Sequence, residues 1–338
     1  MEVLENYSLK SINTFGLDVK ARWFIEITDL DGIQLLLNDP RFQNVPKLVL
    51  GGGSNILFRD DYKGLIILNR IKFVNIISED DQYIFIKAGA GMNWHSFVIH
   101  TISQNFPGLE NLSLIPGCVG AAPIQNIGAY GVEIKDCFYE LNAVSIKDGK
   151  LKTFSASECR FGYRDSIFKK EAKNKYVIVD VTFRFNKNAT INTSYGAIDE
   201  ELKKMKISNP NIRDVSTAVI SIRKSKLPDP EIIGNAGSFF KNPEVPVNTY
   251  NELKEKFPEI IGYSSLDGKM KLAAGWLIEQ CGWKGKRIKN SGMHEQQALV
   301  LVNYGGATGS ELIEHANRVS ESVREKFGIM LEMEVNII

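Results

Sequence analysis

A glycine-rich stretch at residues 112–131 contains the residue types that could hold a large anionic group. It has glycines at positions 117, 120, 128 and 131, prolines at 116 and 123, and no run of charged residues. Glycine and alanine let a backbone come close to a flat or anionic ligand, because little or no side chain stands in the way. Backbone N–H groups of such a segment can also surround a phosphate oxygen. We interpret the stretch as one wall of a cofactor site, and the alternative is a buried crossover packed against a sheet.

A second glycine-rich segment follows a predicted strand at residues 47–50. Its residues are Gly51, Gly52, Gly53, Ser54 and Asn55. It lacks the Gly-Lys-Ser/Thr ending of a Walker loop, and Ile56 occupies the position where the dinucleotide fingerprint requires glycine. The backbone N–H groups, the serine hydroxyl and the asparagine amide would therefore have to bind phosphate themselves. The alternative is a tight hairpin turn.

Three later residues could take part in a reaction. Arg164 follows Phe-Gly-Tyr, Ser238 follows Asn-Ala-Gly, and Glu334 lies in an otherwise apolar C-terminal strand. Each also has a simpler interpretation: a surface ion pair of the arginine with Asp165, a turn cap for the serine, and a solvated outer face for the glutamate. Their combination with two glycine-rich segments favours a functional site.

Apolar periodicity predicts the elements that must position these residues. Strands are predicted at residues 21–27, 47–50, 65–68, 83–88, 138–146, 151–154, 176–185 and 298–302. Helices are predicted at residues 30–37, 93–104, 253–257, 271–281 and 310–327, the last with Ser310 as its N-cap and Gly328 as its stop. In the strand at 176–185, the odd-numbered apolar residues from Val177 to Phe185 are predicted to share one face. The Leu-Pro-Asp-Pro break at 227–230 is a predicted boundary between units.

Length, composition and charge exclude several classes of protein. The chain has 338 residues, 43% of them hydrophobic and 24% charged, which is enough for two or three compact units. The formal net charge of +1 argues against a dedicated nucleic-acid binder. No secretory signal or membrane-spanning run is visible, and four dispersed cysteines suit buried thiols in a reducing cytoplasm. Cysteines and histidines show no metal-ligand spacing, so no metal site is expected.

The ordered set of motifs makes the chain recognisable. It resembles the UDP-N-acetylenolpyruvoylglucosamine reductase family, flavoenzymes that make UDP-N-acetylmuramate for peptidoglycan. The matching motifs are NTFG at 13–16, GGGSN at 51–55, IPGCVG at 115–120, PIQNIGAYG at 123–131, FGYRDS at 161–166, KLPDP at 226–230, GSFFKNP at 237–243 and EMEV at 332–335. Because they span nearly the whole chain in order, the resemblance is far more specific than either glycine-rich segment alone. The segment with Tyr195 and the insert before Lys226 resemble the first subtype of the family, which keeps a tyrosine loop over the substrate.

The resemblance implies an α+β, FAD-binding fold of the vanillyl-alcohol-oxidase type. Two FAD-binding subdomains are expected at residues 1–70 and 71–225, and a third, substrate-binding α+β domain at residues 226–327. Residues 328–338 are expected to return near the first subdomain. FAD would be the bound cofactor, NADPH the hydride donor, and UDP-N-acetylglucosamine enolpyruvate the substrate. A cytoplasmic monomer without nucleic-acid or membrane partners is expected.

The resemblance also assigns roles to single residues. Arg164 and Glu334 would stabilise the enolate formed at the enolpyruvyl group, and Ser238 would protonate it. The residues expected to hold the nucleotide sugar are Tyr195, Lys226 and Asn242. The residues expected to contact FAD are Gly51, Gly52, Gly53, Ser54, Asn55, Pro116, Gly117, Gly120, Ala121, Asn126, Gly128 and Ala129.

The residue types suit that chemistry. Negative charge moves into the substrate carboxylate when hydride adds to the enol ether, and the Arg164 guanidinium can meet it with two hydrogen bonds. Glu334 helps only if it shares or donates a proton, since a bare carboxylate would repel the enolate. Serine is a weak acid, but the enolate is a strong base, so the placement of Ser238 matters more than its acidity.

Two other functions remain as alternatives at this point: an FAD-dependent oxidase of the same fold that uses molecular oxygen, and a non-enzymatic binder of nucleotide sugar or nucleic acid. The set of Arg164, Ser238 and Glu334 favours the reductase over the oxidase. The near-neutral charge and the glycine-rich segments argue against the binder. The basic run at 284–289 is interpreted as a solvated loop, and its alternative is a diphosphate contact.

Overall fold

The computed structural model describes residues 2–265 and 268–338 and forms two compact units. The first unit comprises residues 2–7, Ala21–Gly52 and Lys63–Ser225. The second comprises Ser8–Lys20, Gly53–Tyr62 and the described part of Lys226–Ile338. Each unit is therefore built from segments that are distant in the sequence. The assignment of separate FAD-binding and substrate-binding subdomains stays a prediction.

Helices provide part of each unit. Within the described residues they are α1 (Leu30–Asn38), α2 (Trp94–Ser103), α3 (Ala156–Cys159), α4 (Gly196–Lys204), α5 (Ile212–Lys226), α6 (Val247–Lys256), α7 (Ala274–Gln280) and α8 (Gly309–Phe327). Short 3-10 helices lie at Lys10–Ile12, Pro40–Phe42, Glu110–Leu112, Val119–Ile124, Ile134–Asp136 and Ile167–Lys169. Among these described helices, none has the length and apolar character that crossing a membrane requires.

The strands form several small sheets. In chain order they are β1 (Leu4–Ser8), β2 (Lys20–Ile27), β3 (Lys47–Leu50), β4 (Ile56–Leu57), β5 (Tyr62–Asn69), β6 (Val74–Glu79), β7 (Tyr83–Gly89), β8 (Gly128–Ala129), β9 (Val132–Glu133), β10 (Phe138–Ser145), β11 (Leu151–Ser155), β12 (Tyr176–Asn186), β13 (Gly234–Ser238), β14 (Glu244–Val245), β15 (Gly262–Ser264), β16 (Met270–Leu272), β17 (Arg287–Ile288), β18 (Ser291–Met293), β19 (Val300–Asn303) and β20 (Asn336–Ile337). The first unit has the sheets β1-β2-β5-β3 and β11-β10-β12-β7-β6 and the pair β8-β9. The second has β13-β19-β18-β17, β14-β16-β15 and the pair β20-β4.

The central strand of the first unit is β12, which is buried along most of its length. Val177 and Val179 pack in one hydrophobic cluster with Ile25, whereas Val181 and Phe183 pack in a second cluster that contains Trp94. The prediction that all the odd-numbered residues share one face is therefore wrong. The physical reason is a register irregularity in the pairing with β10, between positions 142 and 143, because such a shift redirects the side chains that follow. Both faces of β12 are consequently core.

The second unit ends with a long helix and a short strand. The capping box of α8 pairs Thr308 with Glu311, and Gly328 closes the helix with a left-handed backbone at φ 70°. The N-cap is thus Thr308, so the prediction of Ser310 is wrong by two positions. The last strand, β20, pairs in parallel with β4, at Asn336 against Ile56.

Other boundaries differ from the predictions because tertiary pairing decides them. Residues predicted as the start of a helix at 271 lie in β16, which pairs with β15, and α7 begins only at 274. The helix predicted at 253–257 is the last part of α6, and the amphipathic α5 was not predicted. The prediction that Glu334 lies in a strand is wrong, since Glu334 precedes β20 in an irregular segment.

Candidate functional site

Two glycine loops of the first unit touch each other. A Cβ placed on Gly52 would lie 3.0 Å from the Gly117 Cα, and one on Gly51 would lie 3.1 Å from the Cys118 Cβ. Within the described part of the chain, the backbone N–H groups of these four residues donate to no other residue. Gly117 has φ 116°, a backbone angle that residues with a side chain rarely adopt. The two loops therefore offer a set of unpaired N–H donors with no bulky side chain between them, which is an arrangement suited to an anion.

The next part of the GGGSN segment belongs to the second unit. Gly53 has φ 59°, and a Cβ there would collide with the carbonyl oxygen of Ile12. Its own carbonyl accepts from the Thr14 N–H at 3.1 Å. Position 53 therefore requires glycine, because the backbone of Ile12 and Asn13, where the NTFG motif begins, lies too close for a side chain. Ser54 and Asn55 are half-buried, and the Asn55 amide donates to the Glu334 carbonyl at 3.4 Å.

A tight hairpin of the first unit carries Arg164. Gly162 and Asp165 exchange main-chain hydrogen bonds of 3.0 and 3.2 Å, and Arg164 lies between them with φ 52°. The guanidinium donates to the carbonyl of Gly128. Asp165 pairs with Lys170, so the ion pair of Asp165 does not need Arg164. A left-handed non-glycine residue is strained, and such strain is concentrated at functional sites.

The segment 124–128 holds this hairpin in place. The buried Asn126 amide donates to the Gly162 carbonyl at 3.0 Å and to Glu133 Oε2 at 2.9 Å. The Ser166 hydroxyl donates to the Ile124 carbonyl at 2.6 Å. The side chain of Asn126 is thus used to position the hairpin, and its predicted contact with FAD stays a prediction that would involve the backbone.

The remaining predicted cofactor contacts lie around these loops. Gly120 lacks a side chain for packing reasons, since a Cβ there would lie 2.5 Å from the Ala90 Cβ. Gly128 and Ala129 form β8, and a Cβ on Gly128 would lie 3.0 Å from an Arg164 nitrogen. The other two, Pro116 and Ala121, are exposed and half-buried respectively. The residues of this stretch therefore serve three purposes: packing, support of Arg164, and a loop at 116–118 in which the N–H groups of Gly117 and Cys118 stay unpaired among the described residues.

A pair of tyrosines forms a second feature of the first unit. Tyr195 is 48% exposed, and its ring meets the Tyr130 ring edge to face, with centroids 5.3 Å apart. Burial raises the pKa of Tyr130, although the nearby Arg223 guanidinium opposes the rise. Burial in turn lowers the pKa of Arg223, whose Nε donates to the Leu114 carbonyl at 3.3 Å. The predicted substrate residue Tyr195 therefore packs against a tyrosine that interacts with a partly desolvated cation.

The second unit brings Ser238 and Glu334 onto adjacent backbone segments. Ser238 ends β13 opposite Val300. The next residue, Phe239, accepts a hydrogen bond of 2.8 Å from the Glu334 N–H and donates one of 2.9 Å to the Leu299 carbonyl. The two residues predicted to handle the proton are thus placed by main-chain pairing. Both side chains are half-buried.

Two further predicted residues of the second unit have different surroundings. The Asn242 Oδ1 accepts from the Ala274 N–H at 3.0 Å, at the first turn of α7. That contact satisfies one of the free N–H groups at the helix start. Lys226 is exposed at the end of α5. Their predicted contacts with nucleotide sugar stay predictions.

The basic run at 284–289 forms part of a small sheet, because Arg287 and Ile288 make up β17. The interpretation as a loop is wrong in this respect. Lys284 pairs with Glu279 at 2.9 Å, Lys286 lies over the Trp283 ring, and Arg287 lies over the Tyr304 ring. These cations already have partners, so a diphosphate contact gains no support.

Sequence reasoning missed several residues that position the candidate site: Asn111, Tyr130, Glu133 and Arg223. The sequence could have indicated Tyr130, because it belongs to the PIQNIGAYG motif. It could also have indicated Asn111, because this amide directly precedes the apolar residues from Leu112 onward. Arg223 gave no signal, because a basic residue on a helix is usually solvated.

Comparisons with known proteins agree with these motifs. Residues 229–338 match the family model described as UDP-N-acetylenolpyruvoylglucosamine reductase, C-terminal domain, and residues 21–155 match the FAD binding domain model. A protein of Flavobacterium johnsoniae named UDP-N-acetylenolpyruvoylglucosamine reductase is 50% identical over 100% of both chains. Another of the same name from Pseudomonas fluorescens (strain Pf0-1) is 48% identical over 99% of each.

A solved structure supports the same fold. The crystal structure of UDP-N-acetylenolpyruvylglucosamine reductase from Thermus caldophilus matches with a TM-score of 0.68 and 22% identity, covering 99% of this chain and 98% of that one. Together with the FAD binding domain model, this match confirms the predicted α+β, FAD-binding fold.

Proposed function

Because this chain belongs to the UDP-N-acetylenolpyruvoylglucosamine reductase family, we propose that it reduces UDP-N-acetylglucosamine enolpyruvate to UDP-N-acetylmuramate with electrons from NADPH. Family membership was predicted from the motifs and is confirmed. The observation that supports the activity most is identity of 50% over the full length of a relative with that name. No feature of the described residues favours the oxidase or the non-enzymatic binder.

The chain contains a suitable set of donors for FAD. Four backbone N–H groups pair with no other described residue, those of Gly51, Gly52, Gly117 and Cys118. They lie in two loops that could not approach each other so closely if Gly51 and Gly52 carried side chains. A diphosphate is the part of FAD that such donors recognise. We assign these residues to it, with Gly53, Ser54 and Asn55 as further contacts. When bound, FAD supplies the hydride chemistry that links NADPH to the substrate.

Arg164 is proposed to hold the substrate carboxylate. Reduction of the enol ether places negative charge on this carboxylate as an enolate. A guanidinium offers a rigid pair of donors that match the two oxygens, and its positive charge stabilises the developing negative charge. The hairpin supports this role, because its main-chain pairing and the Gly128 carbonyl fix the direction of the side chain before substrate arrives.

Ser238 is proposed to give its hydroxyl proton to the enolate carbon, with Glu334 as its neighbour on the adjoining segment. The hydrogen bond between the Glu334 N–H and the Phe239 carbonyl supports this pairing, because it keeps both residues in register. A protonated Glu334 would add a second acidic group and avoid repulsion of the enolate. The weak acidity of serine is offset by the strong basicity of the carbanion.

The nucleotide sugar is proposed to contact Tyr195, Lys226 and Asn242. Tyr195 offers an exposed aromatic ring beside Tyr130, which interacts with Arg223, and Lys226 offers an exposed ammonium. An aromatic hydroxyl and a cation are suitable partners for a diphosphate. Tyr195 is further proposed to belong to the tyrosine loop that the first subtype of the family keeps over the substrate.

The enzyme is further proposed to work as a monomer in the cytoplasm. All four cysteines are free thiols, three of them buried and Cys281 half-buried. Free thiols persist in reducing compartments. Burial raises the pKa of Cys137 and of Cys159 to about 12, so these thiols are unreactive at neutral pH.

An anaerobic spectrum tests the proposed function. Purified protein should show a flavin absorption that NADPH bleaches and that the enolpyruvyl nucleotide sugar restores. Restoration by the nucleotide sugar without oxygen requires both half-reactions. A protein that binds no flavin after reconstitution with FAD contradicts the proposal. A flavin that only oxygen reoxidises would point to the oxidase instead.

A further inference from the structure

Asn111 links two distant loops of the first unit. It lies on the 3-10 helix Glu110–Leu112 and is fully buried, with 0% of its surface exposed. Its amide nitrogen donates to the Tyr130 carbonyl at 2.9 Å and to the Asn192 carbonyl at 3.0 Å. Both N–H groups of one side chain therefore bind main-chain oxygens 19 and 81 residues away. A buried amide with two such contacts constrains both loops at once.

The contact with Asn192 continues to Tyr195. The Asn192 amide donates to the Gly131 carbonyl at 3.3 Å, which adds a second link between the same two loops. Its Oδ1 accepts from the N–H of Ser194 at 3.1 Å and from the Ser194 hydroxyl at 2.7 Å. This turn leads directly into Tyr195, the N-cap residue of α4. The orientation of Tyr195 therefore depends on where Asn192 is held.

The contact with Tyr130 fixes the partner ring. Tyr130 has a left-handed backbone at φ 50°, and a carbonyl held by Asn111 stabilises that conformation. Its ring stands at 89° to the Tyr195 ring. The Asn111 amide thus binds the backbone of Tyr130 and the backbone of the turn that precedes Tyr195. No side chain other than asparagine or glutamine supplies two N–H donors from one neutral nitrogen, and glutamine is longer.

The Asn111 amide acts through its nitrogen and not through its oxygen. Among the described residues, the Asn111 Oδ1 has no hydrogen-bond partner although it is buried. An unsatisfied buried oxygen is unfavourable, so the side chain is not explained by a fully satisfied polar network. We propose that Asn111 is a positioning residue, which sets the Tyr130–Tyr195 pair for the nucleotide part of the substrate. This inference rests on the proposed function and on the assignment of Tyr195 to the substrate.

The first experiment measures both half-reactions of Asn111→Leu, which keeps the branched shape of the side chain and removes both donors. The KM for the enolpyruvyl nucleotide sugar should rise about 10-fold, while the rate of flavin reduction by NADPH stays within about two-fold. The matched control is Asn142→Leu, which removes an amide bonded to Asp180 at 2.8 Å in the sheet of the first unit. The control should leave the KM unchanged.

A double-mutant cycle separates positioning from general damage. In a Tyr195→Ala background, Asn111→Leu should change the KM by less than about two-fold, because the residue through which it acts is gone. An equal rise of the KM in both backgrounds would overturn the proposal, as would an unchanged KM in the single variant. If Asn111→Leu does not fold, Asn192→Ala provides the same test at a half-buried position, with a smaller rise expected.

Hydrogen exchange gives a readout that does not depend on activity. In Asn111→Leu, amides at 129–133 and 191–196 should exchange at least about 10-fold faster, while those of β12 should not change. Unchanged exchange at both loops would overturn the tether itself. Wild-type protein that fails to turn over the nucleotide sugar would refute the proposed function, and the exchange result would still decide whether Asn111 holds the loops.

Discussion

The hairpin of Arg164 is joined to the segment 124–128 by side-chain hydrogen bonds. Asn126 binds the Gly162 carbonyl, and Ser166 binds the Ile124 carbonyl. Arg164 itself has a left-handed backbone, which only surrounding contacts can maintain. Substitution of one supporting side chain should therefore displace the guanidinium.

The region of Ser238 and Glu334 is held mainly by the backbone instead. Phe239 bonds to the main chains of both Leu299 and Glu334, and the Lys241 N–H donates to the Glu332 carbonyl at 2.9 Å. Main-chain bonds do not depend on which side chains flank them. The neighbours of Ser238 should therefore tolerate substitution better than the neighbours of Arg164.

The largest expected effect comes from Ser238→Ala. Loss of the hydroxyl should slow reoxidation of the reduced flavin by substrate by on the order of 10²–10⁴, because the Ser238 hydroxyl is the group proposed to protonate carbon. Reduction by NADPH should stay intact. Stopped-flow absorbance measures both half-reactions, and Ser264→Ala, at an exposed serine of β15, is the control. Equal slowing of both half-reactions would remove Ser238 from this role.

Arg164→Lys tests the proposed contact of the Arg164 guanidinium with the substrate carboxylate. Lysine keeps the charge but loses the planar pair of donors, so kcat/KM for the nucleotide sugar should fall about 10²–10³-fold. Steady-state kinetics and NADPH half-reaction rates measure the change. Activity within about three-fold of wild type would show that charge alone is sufficient, contrary to the proposed bidentate contact.

Acid should weaken the second unit through His315. This side chain is 2% exposed, its Nδ1 lies 3.0 Å from the Ser291 hydroxyl, and burial lowers its pKa to about 4, with Arg318 and Lys286 adding to the effect. Among the described residues its Nε2 has no partner. The folded state therefore favours neutral histidine. Stability is complete above the unfolded pKa near 6.5 and falls as the pH drops toward 4, by about 3 kcal/mol in total.

Urea unfolding at pH 7, 5.5 and 4.5 measures this dependence. His315→Gln should flatten the pH dependence of the free energy of unfolding in that range, while Ser264→Ala, at an exposed serine of β15, should leave its slope unchanged. An equally steep dependence in His315→Gln would assign the effect to other groups.

The smallest expected effect comes from changing one neighbour of each region. Asn126→Leu should lower kcat/KM about 10-fold and the free energy of unfolding by about 1–3 kcal/mol, since the Gly162 carbonyl and Glu133 lose a buried donor. Met333→Leu conserves volume and leaves the main-chain bridge to Phe240 intact, so its kcat/KM should stay within about two-fold. Comparable losses in both variants would contradict the difference drawn between the two regions.

Local patterns predicted many of the elements and all the motifs. Alternating apolar residues predicted β12, and helical spacing predicted α2 and α8, because these periodicities reflect geometry of the backbone itself. The glycine and polar motifs indicated the family, because they match its motifs in order along nearly the whole chain. The shift of the α8 cap from Ser310 to Thr308 lies within what local signals leave open.

Only the tertiary structure decided which residues support the proposed site. The burial of Asn111 and Asn126, the contact between residues 51–52 and 117–118, and the main-chain bond between Phe239 and Glu334 join positions far apart in the chain. The start of α7 at 274 depends on the pairing of β16 with β15, and the divided faces of β12 depend on an irregular register with β10. The type and spacing of residues determine what a segment prefers, whereas burial and long-range pairing depend on segments that local sequence does not contain.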